Sequence, residues 1–193
     1  TDGEFLVVWA DGRLGWNIYG RRVGSDGSPI GGDFQIYGDT QFYMELAPAA
    51  GWNGTANEYL VVWQDARNSP AGGWDWDVDG RRVGADGVPI GAEFRVSGAP
   101  DGSDQSTPQV VWNGTADEFL VVWEDWRDAS ARQADIYGRR VGADGGLVGS
   151  DFRVSGAGAT GDELVPSVSW NETANEYLVV WEDSRAKAAR GTD

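Results

Sequence analysis

The chain of 193 residues contains no cysteine, no histidine and only one methionine. Without cysteine there are no disulfides and no thiolate metal sites, and the redox compartment leaves no trace in the sequence. Without histidine there is no Ser-His nucleophile pair, and the commonest zinc ligand is missing. Cationic side chains are scarce too: 15 Lys and Arg face 31 Asp and Glu, giving a formal charge of −16. A field of that sign repels phosphate backbones and anionic headgroups, which argues against nucleic-acid and membrane-surface partners. No apolar run approaches the roughly 20 residues of a membrane helix, so membrane insertion is not expected. The sequence also starts at Thr1 without an initiating methionine or signal peptide, which reads as a processed product or a fragment.

Glycine and tryptophan are abundant, with 29 and 11 copies. Many glycines with short apolar, aromatic-rich runs point to an all-β protein with many turns. Internal self-similarity then decides the fold. EFLVVWADGR (4–13) returns as EYLVVWQDAR (58–67), EFLVVWEDWR (118–127) and EYLVVWEDSR (176–185). NIYGRRVGSDGSPIGGDF (17–34) recurs at 77–94 and 135–152, and FQIYG (34–38) recurs as FRVSG at 94–98 and 152–156. PAAGWNGTAN (48–57), PQVVWNGTAD (108–117) and PSVSWNETAN (166–175) lead back into the next EYLVVW.

Each unit reads as four short strands: A (PQVVW), B (EFLVVW), C (DIYGRRV) and D (FRVSG). Asn-Gly in the A–B turn and Asp-Gly in the C–D turn are hairpin signals, because these residues tolerate positive φ. Strand B is apolar on both faces, which belongs to a sheet held between two neighbours. Four-stranded sheets repeating at roughly 40–60 residues are the signature of a β-propeller. Dividing the chain by a unit of about 58 residues leaves about 3.3 blades, an incomplete ring. Residues 1–44 supply strands B–D of blade 1, 45–104 blade 2, 105–162 blade 3, and 163–193 strands A–B of blade 4. Self-association, or the remainder of a longer propeller chain, is expected to complete the ring.

The combination LVVW-x-D-x-R, [DN]-I-Y-G-R-R-V-G-x-D-G and [DE]-F-x-V-S-G resembles the propeller repeats of large secreted and surface-anchored bacterial proteins. The resemblance covers essentially the whole chain and implies a propeller fold with a secreted or cell-surface location. The C–D turn is loosely similar to that of the Asp-box propellers of sialidase type, with Asp26, Asp86 and Asp144 in the corresponding turn. Here Gly follows the Asp directly, and Phe34, Phe94 or Phe152 stands where that family has Trp. No catalytic residue is implied.

Candidate site residues cluster where strand B runs into the B–C loop. Asp65, Arg67, Asp125 and Arg127 recur as W-x-D-x-R and suit either a polar ligand-binding rim or a repeated structural ion pair. Trp16, Trp74, Trp76 and Trp126 lie in or beside the B–C loops, as stacking platforms for sugar rings, anchors for a protein, or local packing. Asp77 joins them at the entry to strand C. Asp75, Asp77 and Asp79, followed by Gly80, also read as the start of a calcium loop, with Asp86 at its twelfth position. In an extended strand the three carboxylates share a face at about 6.7 Å spacing, too spread for one ion. Calcium is therefore the weaker reading, and no other cofactor is expected. The function expected is a non-catalytic extracellular module that recognises glycan or protein through this rim. The alternative is a structural repeat of a wall, spacer or filament, and neither is an enzyme.

Overall fold

The computed structural model describes residues 3–13, 15–38, 43–67, 75–98, 102–127, 133–156 and 161–184. Among the described residues there are thirteen strands and no helix. β1 (Phe5–Asp11), β2 (Asn17–Val23) and β3 (Pro29–Tyr37) form a three-stranded sheet. β4 (Glu45–Asn53), β5 (Glu58–Asp65), β6 (Asp77–Gly84) and β7 (Pro89–Arg95) form a four-stranded one. β8 (Gln105–Asn113), β9 (Glu118–Asp125), β10 (Asp135–Gly142) and β11 (Leu147–Arg153) repeat it. β12 (Glu163–Asn171) and β13 (Glu176–Asp183) pair as the fourth sheet. All pairings between these strands are antiparallel and join sequence neighbours. β4 packs against β8, and β8 against β12, so strand A is the inner strand of blades 2, 3 and 4. The architecture is an incomplete β-propeller.

The two-faced strand B holds successive blades together. Tyr59, Val61 and Trp63 pack toward blade 1, against Ile18, Ile36, Leu6 and Val8. Leu60 and Val62, on the other face of β5, join Phe119, Val121 and Trp123 of β9. Trp63 and Trp123 are fully buried, and truncating either to Ala costs about 3–5 kcal/mol. The outward faces differ: Phe5 and Val7 are 61% and 48% exposed, and Leu178 and Val180 are 62% and 51% exposed. Arginines of strand C add polar stitches. Arg81 and Arg139 donate to the Ile36 and Val96 carbonyls of the preceding blade at 2.9 and 3.1 Å. Their neighbours Arg82 and Arg140 point the other way, to Glu58 and Glu118.

Several boundaries differ from the sequence expectation. Strand D begins at Pro29, Pro89 and Leu147, well before the Phe, because the C–D turn is tight. Gly84 donates to the Val88 carbonyl, Gly87 (φ 88°) donates back to Gly84, and the Asp86 carboxylate accepts from Val88. In the A–B turn the positive φ falls on Asn57, Asp117 and Asn175, at the turn's end, and not on Asn-Gly. The Asn53 side chain instead accepts the Thr55 and Ala56 N–H groups, closing an Asx turn. Strand A starts three residues before its Pro, at Glu45, Gln105 and Glu163.

That early start carries a bulge and a left-handed residue in each of blades 2, 3 and 4. Ala47, Thr107 and Val165 have φ of 49°, 49° and 51° just before the Pro. For β-branched Thr and Val this is a strained conformation, costing on the order of 1–3 kcal/mol. The preceding blade holds it: Gln64 accepts the Thr107 N–H at 3.1 Å and Glu124 the Val165 N–H at 2.7 Å. Glu124→Ala is therefore expected to lower stability by about 1–3 kcal/mol, the cost of an orphaned backbone donor. Glu182→Ala, at the same position of the exposed β13 face, is expected to cost under about 0.5 kcal/mol. Urea denaturation of the two variants measures the contrast.

Candidate functional site

The B–C loops and the starts of strand A lie at one rim, and backbone bonds join them across blades. Glu45 N–H donates to the Trp16 carbonyl, Gln105 N–H to Trp76 and Glu163 N–H to Ala134. Within a blade, the first residue of strand A faces the last of strand B, which faces the first of strand C. The Cα partners are Glu45, Asp65 and Asp77 in blade 2, and Gln105, Asp125 and Asp135 in blade 3. Glu163 and Asp183 form the corresponding pair in blade 4. A belt of acidic and amide side chains thus runs around the rim.

Asp65 and Asp125 are buried within a clasp that explains W-x-D-x-R. Trp63 Nε1 donates to Asp65 at 3.2 Å, while Arg67 reaches it through its backbone N–H, Nε and Nη2. Asp125 takes the same bonds from Trp123 and Arg127. The guanidiniums lie over tyrosine rings, Arg67 on Tyr37 at 4.6 Å and Arg127 on Tyr137 at 4.0 Å. Arg127 also pairs with Asp151, and Arg67 with Asp79 and Glu93. In blade 1 the clasp is solvent-facing, and Arg13 holds the Asp11 carboxyl down to about 2.

Blade 2 departs from this pattern in a coupled way. Asp79 stands where the other units have Tyr19 and Tyr137, and Tyr37 of blade 1 stands where the others have Ser97 and Ser155. Tyr37 stacks on Trp63 at 5.1 Å and lies beneath Arg67, so an aromatic ring from the neighbouring blade serves the clasp. Asp79 is buried and pairs with the same Arg67. Burial pushes its carboxyl up to about 7, the charge of Asp65 adds to the effect, and Arg67 opposes it.

The remaining candidates fall into two groups. Trp16 is half-exposed and lies over Gly12. Trp76 and Trp126, both partly buried, meet at Asp104, whose carboxylate accepts the Trp76 N–H and whose carbonyl accepts the Trp126 N–H. Trp74 lies outside the described residues. The calcium candidates do not converge: Asp77 pairs with Arg95, Asp79 with Arg67, and Asp75 accepts the Gly102 N–H. Among the described residues no three acidic side chains form a metal-holding group. Sequence reading missed Glu45, Gln105 and Glu163, all nearly or fully buried. Their signal was the acid or amide three residues before Pro48, Pro108 and Pro166. Glu163 Oε2 has no hydrogen-bond partner among the described residues.

No protein-family model and no curated protein sequence matches the chain. Solved structures do. One is an N-acetylgalactosamine deacetylase from F. plautii in complex with blood group B trisaccharide. It matches at TM-score 0.57 and 13% identity, over 87% of this chain and 55% of that one. An endo-arabinase from Bacteroides thetaiotaomicron matches at TM-score 0.57 and 12% identity, over 92% and 65%. A GH43 endo-arabinanase from Bacillus licheniformis matches at TM-score 0.50 and 11% identity, over 93% and 70%. The chain spans just over half and just under two thirds of the first two structures. At these identities the likeness shows a shared fold.

One expectation is corrected by these matches. Both functional readings of the sequence excluded catalysis, as binding module or structural repeat, because no distinctive constellation stood out among the repeated residues. The three matched structures are themselves named as a deacetylase, an endo-arabinase and an endo-arabinanase, so the exclusion of catalysis does not stand. The rim carboxylates Glu45 and Glu163 lie at the start of strand A, outside the stretches that repeat.

The raised Asp79 carboxyl has a measurable consequence. Between its ordinary value of 3.8 and about 7 the folded protein holds a proton that the unfolded chain releases. Stability contributed by that proton is present below the ordinary value and is lost as pH rises through about 7. From pH 5 to pH 8 the loss is expected to be about 2–3 kcal/mol, and Asp79→Asn is expected to remove it. Denaturation midpoints of the two proteins at both pH values read this directly.

Proposed function

We propose that the chain is part of a glycan-processing propeller that hydrolyses glycosidic bonds at the rim where strand A begins and strand B ends. The observation that carries this reading is Glu163, buried at the first position of an inner strand with one carboxylate oxygen unpartnered among the described residues. A cleft of about 120 Å³ is lined by its sequence neighbours Asp162 and Leu164, together with Glu182, Asp183 and Ser184. Glu45 holds the equivalent place in blade 2, so acid side chains recur around the rim. Glycoside hydrolysis needs an acid to protonate the leaving oxygen and a carboxylate to serve as nucleophile or base. Trp16, Trp76 and Trp126 at the same rim offer faces for sugar rings to stack on.

The glycan activities of the solved structures support the substrate class, and the acidic belt supports the chemistry. A secreted or cell-surface protein would meet polymeric glycans that do not enter cells. In a reducing-sugar assay on arabinan, xylan and N-acetylgalactosamine-terminated oligosaccharides, at least one substrate is expected to be cleaved. Glu163→Gln is expected to lower kcat by about 100-fold or more, with an unchanged circular dichroism spectrum. No cleavage of any of the three, or a Glu163→Gln protein with full kcat, would overturn the reading.

A further inference from the structure

A second cleft, of about 410 Å³, lies at the opposite rim between blades 1 and 2. Its walls include Phe5 and Leu6 of β1, and Ala50, Trp52 and Tyr59 of blade 2. β1 is the edge strand of its sheet, whereas its counterparts β5, β9 and β13 each carry an inner strand.

The register of those three pairings shows what the cleft would fit. Gly51 faces Leu60, Val111 faces Leu120 and Ser169 faces Leu178. The equivalent residue of β1 is Leu6. A Cβ on Gly51 would sit 3.1 Å from Val110 and 3.4 Å from Phe119 of the next blade. Val111 lies in the same core cluster as Val168 and Tyr177 one blade further on. The counterparts of those contact residues beside β1 are Ala50 and Tyr59, two walls of the cleft. The void therefore occupies the place that an inner strand fills in the other blades.

The entry to β1 matches as well. Gly3 has φ 73°, and its counterparts at the end of the A–B turn, Asn57, Asp117 and Asn175, have φ of 58°, 56° and 52°. The chain enters β1 in the conformation it has when it leaves that turn. An apolar small molecule would leave the backbone groups along the free edge of β1 without partners in the slot, whereas a strand pairs with them.

We infer that this cleft is an acceptor slot for a β-strand, and that its occupant is the inner strand of a further repeat unit of this same kind. It pairs antiparallel along β1 and places one side chain between Leu6, Ala50 and Tyr59. The inference is independent of any catalytic activity.

The test uses the nine-residue peptide QSTPQVVWN, the sequence of β8 (105–113), added to the whole chain. Hydrogen exchange is followed at the β1 amides. The peptide is expected to slow exchange in residues 5–11 by at least about tenfold. A scrambled peptide, and one carrying Val111→Lys, are expected to leave it unchanged, because the lysine would be buried against Ala50 and Tyr59. A second arm replaces residues 1–3 by the sequence of 105–117, so that the strand and its turn run directly into Glu4. This graft is expected to raise Tm and to abolish peptide binding. Equal protection by the scrambled peptide would overturn the inference. So would a graft that leaves β1 exchange and Tm unchanged.

Discussion

A strand that is apolar on both faces must be covered on both faces, and strand B is such a strand in every unit. This one requirement sets the architecture. It forbids a lone sheet, because half of β5 or β9 would then face water, and it makes each blade's core the property of two blades. The polar stitches follow the same logic. Gln64 and Glu124 reach from strand B into the next inner strand, and Arg81 and Arg139 reach back into the previous outer one. The clasp of Trp, Asp and Arg then fixes where strand B stops and aims the chain into the rim loop.

Much of this was legible in the sequence because it repeats. Repetition exposed the four-strand unit, the two-faced strand and the turn residues, and the thirteen strands of the structure follow in the expected order. Details that depend on backbone geometry were not legible. The bulge before Pro48, Pro108 and Pro166 lengthens strand A beyond its apolar pattern, since Thr107 and Val165 adopt a left-handed conformation that no propensity favours. The positive φ of the A–B turn moved from Asn-Gly to the turn's last residue because the Asn53 side chain took over the capping.

The candidate site was the least legible part, for a related reason. The pair in W-x-D-x-R stood out because it recurs, and in the structure its carboxylates are engaged by their own tryptophan and arginine. The inner-strand residues vary from Glu to Gln to Glu, and they sit outside the stretches that look alike. In a repeat protein the recurring polar residue serves the unit first. Chemistry specific to one place is better sought among the positions where the units disagree.

Tyr37 and Asp79 show what such disagreement does to the whole. Blade 2 gave up the tyrosine its siblings keep in strand C, and the ring it needs over Arg67 comes from blade 1. Units that resemble interchangeable parts have thereby acquired an order. A duplication or shuffling event that moved blade 2 away from blade 1 would separate Asp79 from its compensating tyrosine, leaving a hole beside a buried acid. A copy of blade 2 keeps its Arg67 covered only where a copy of blade 1 precedes it.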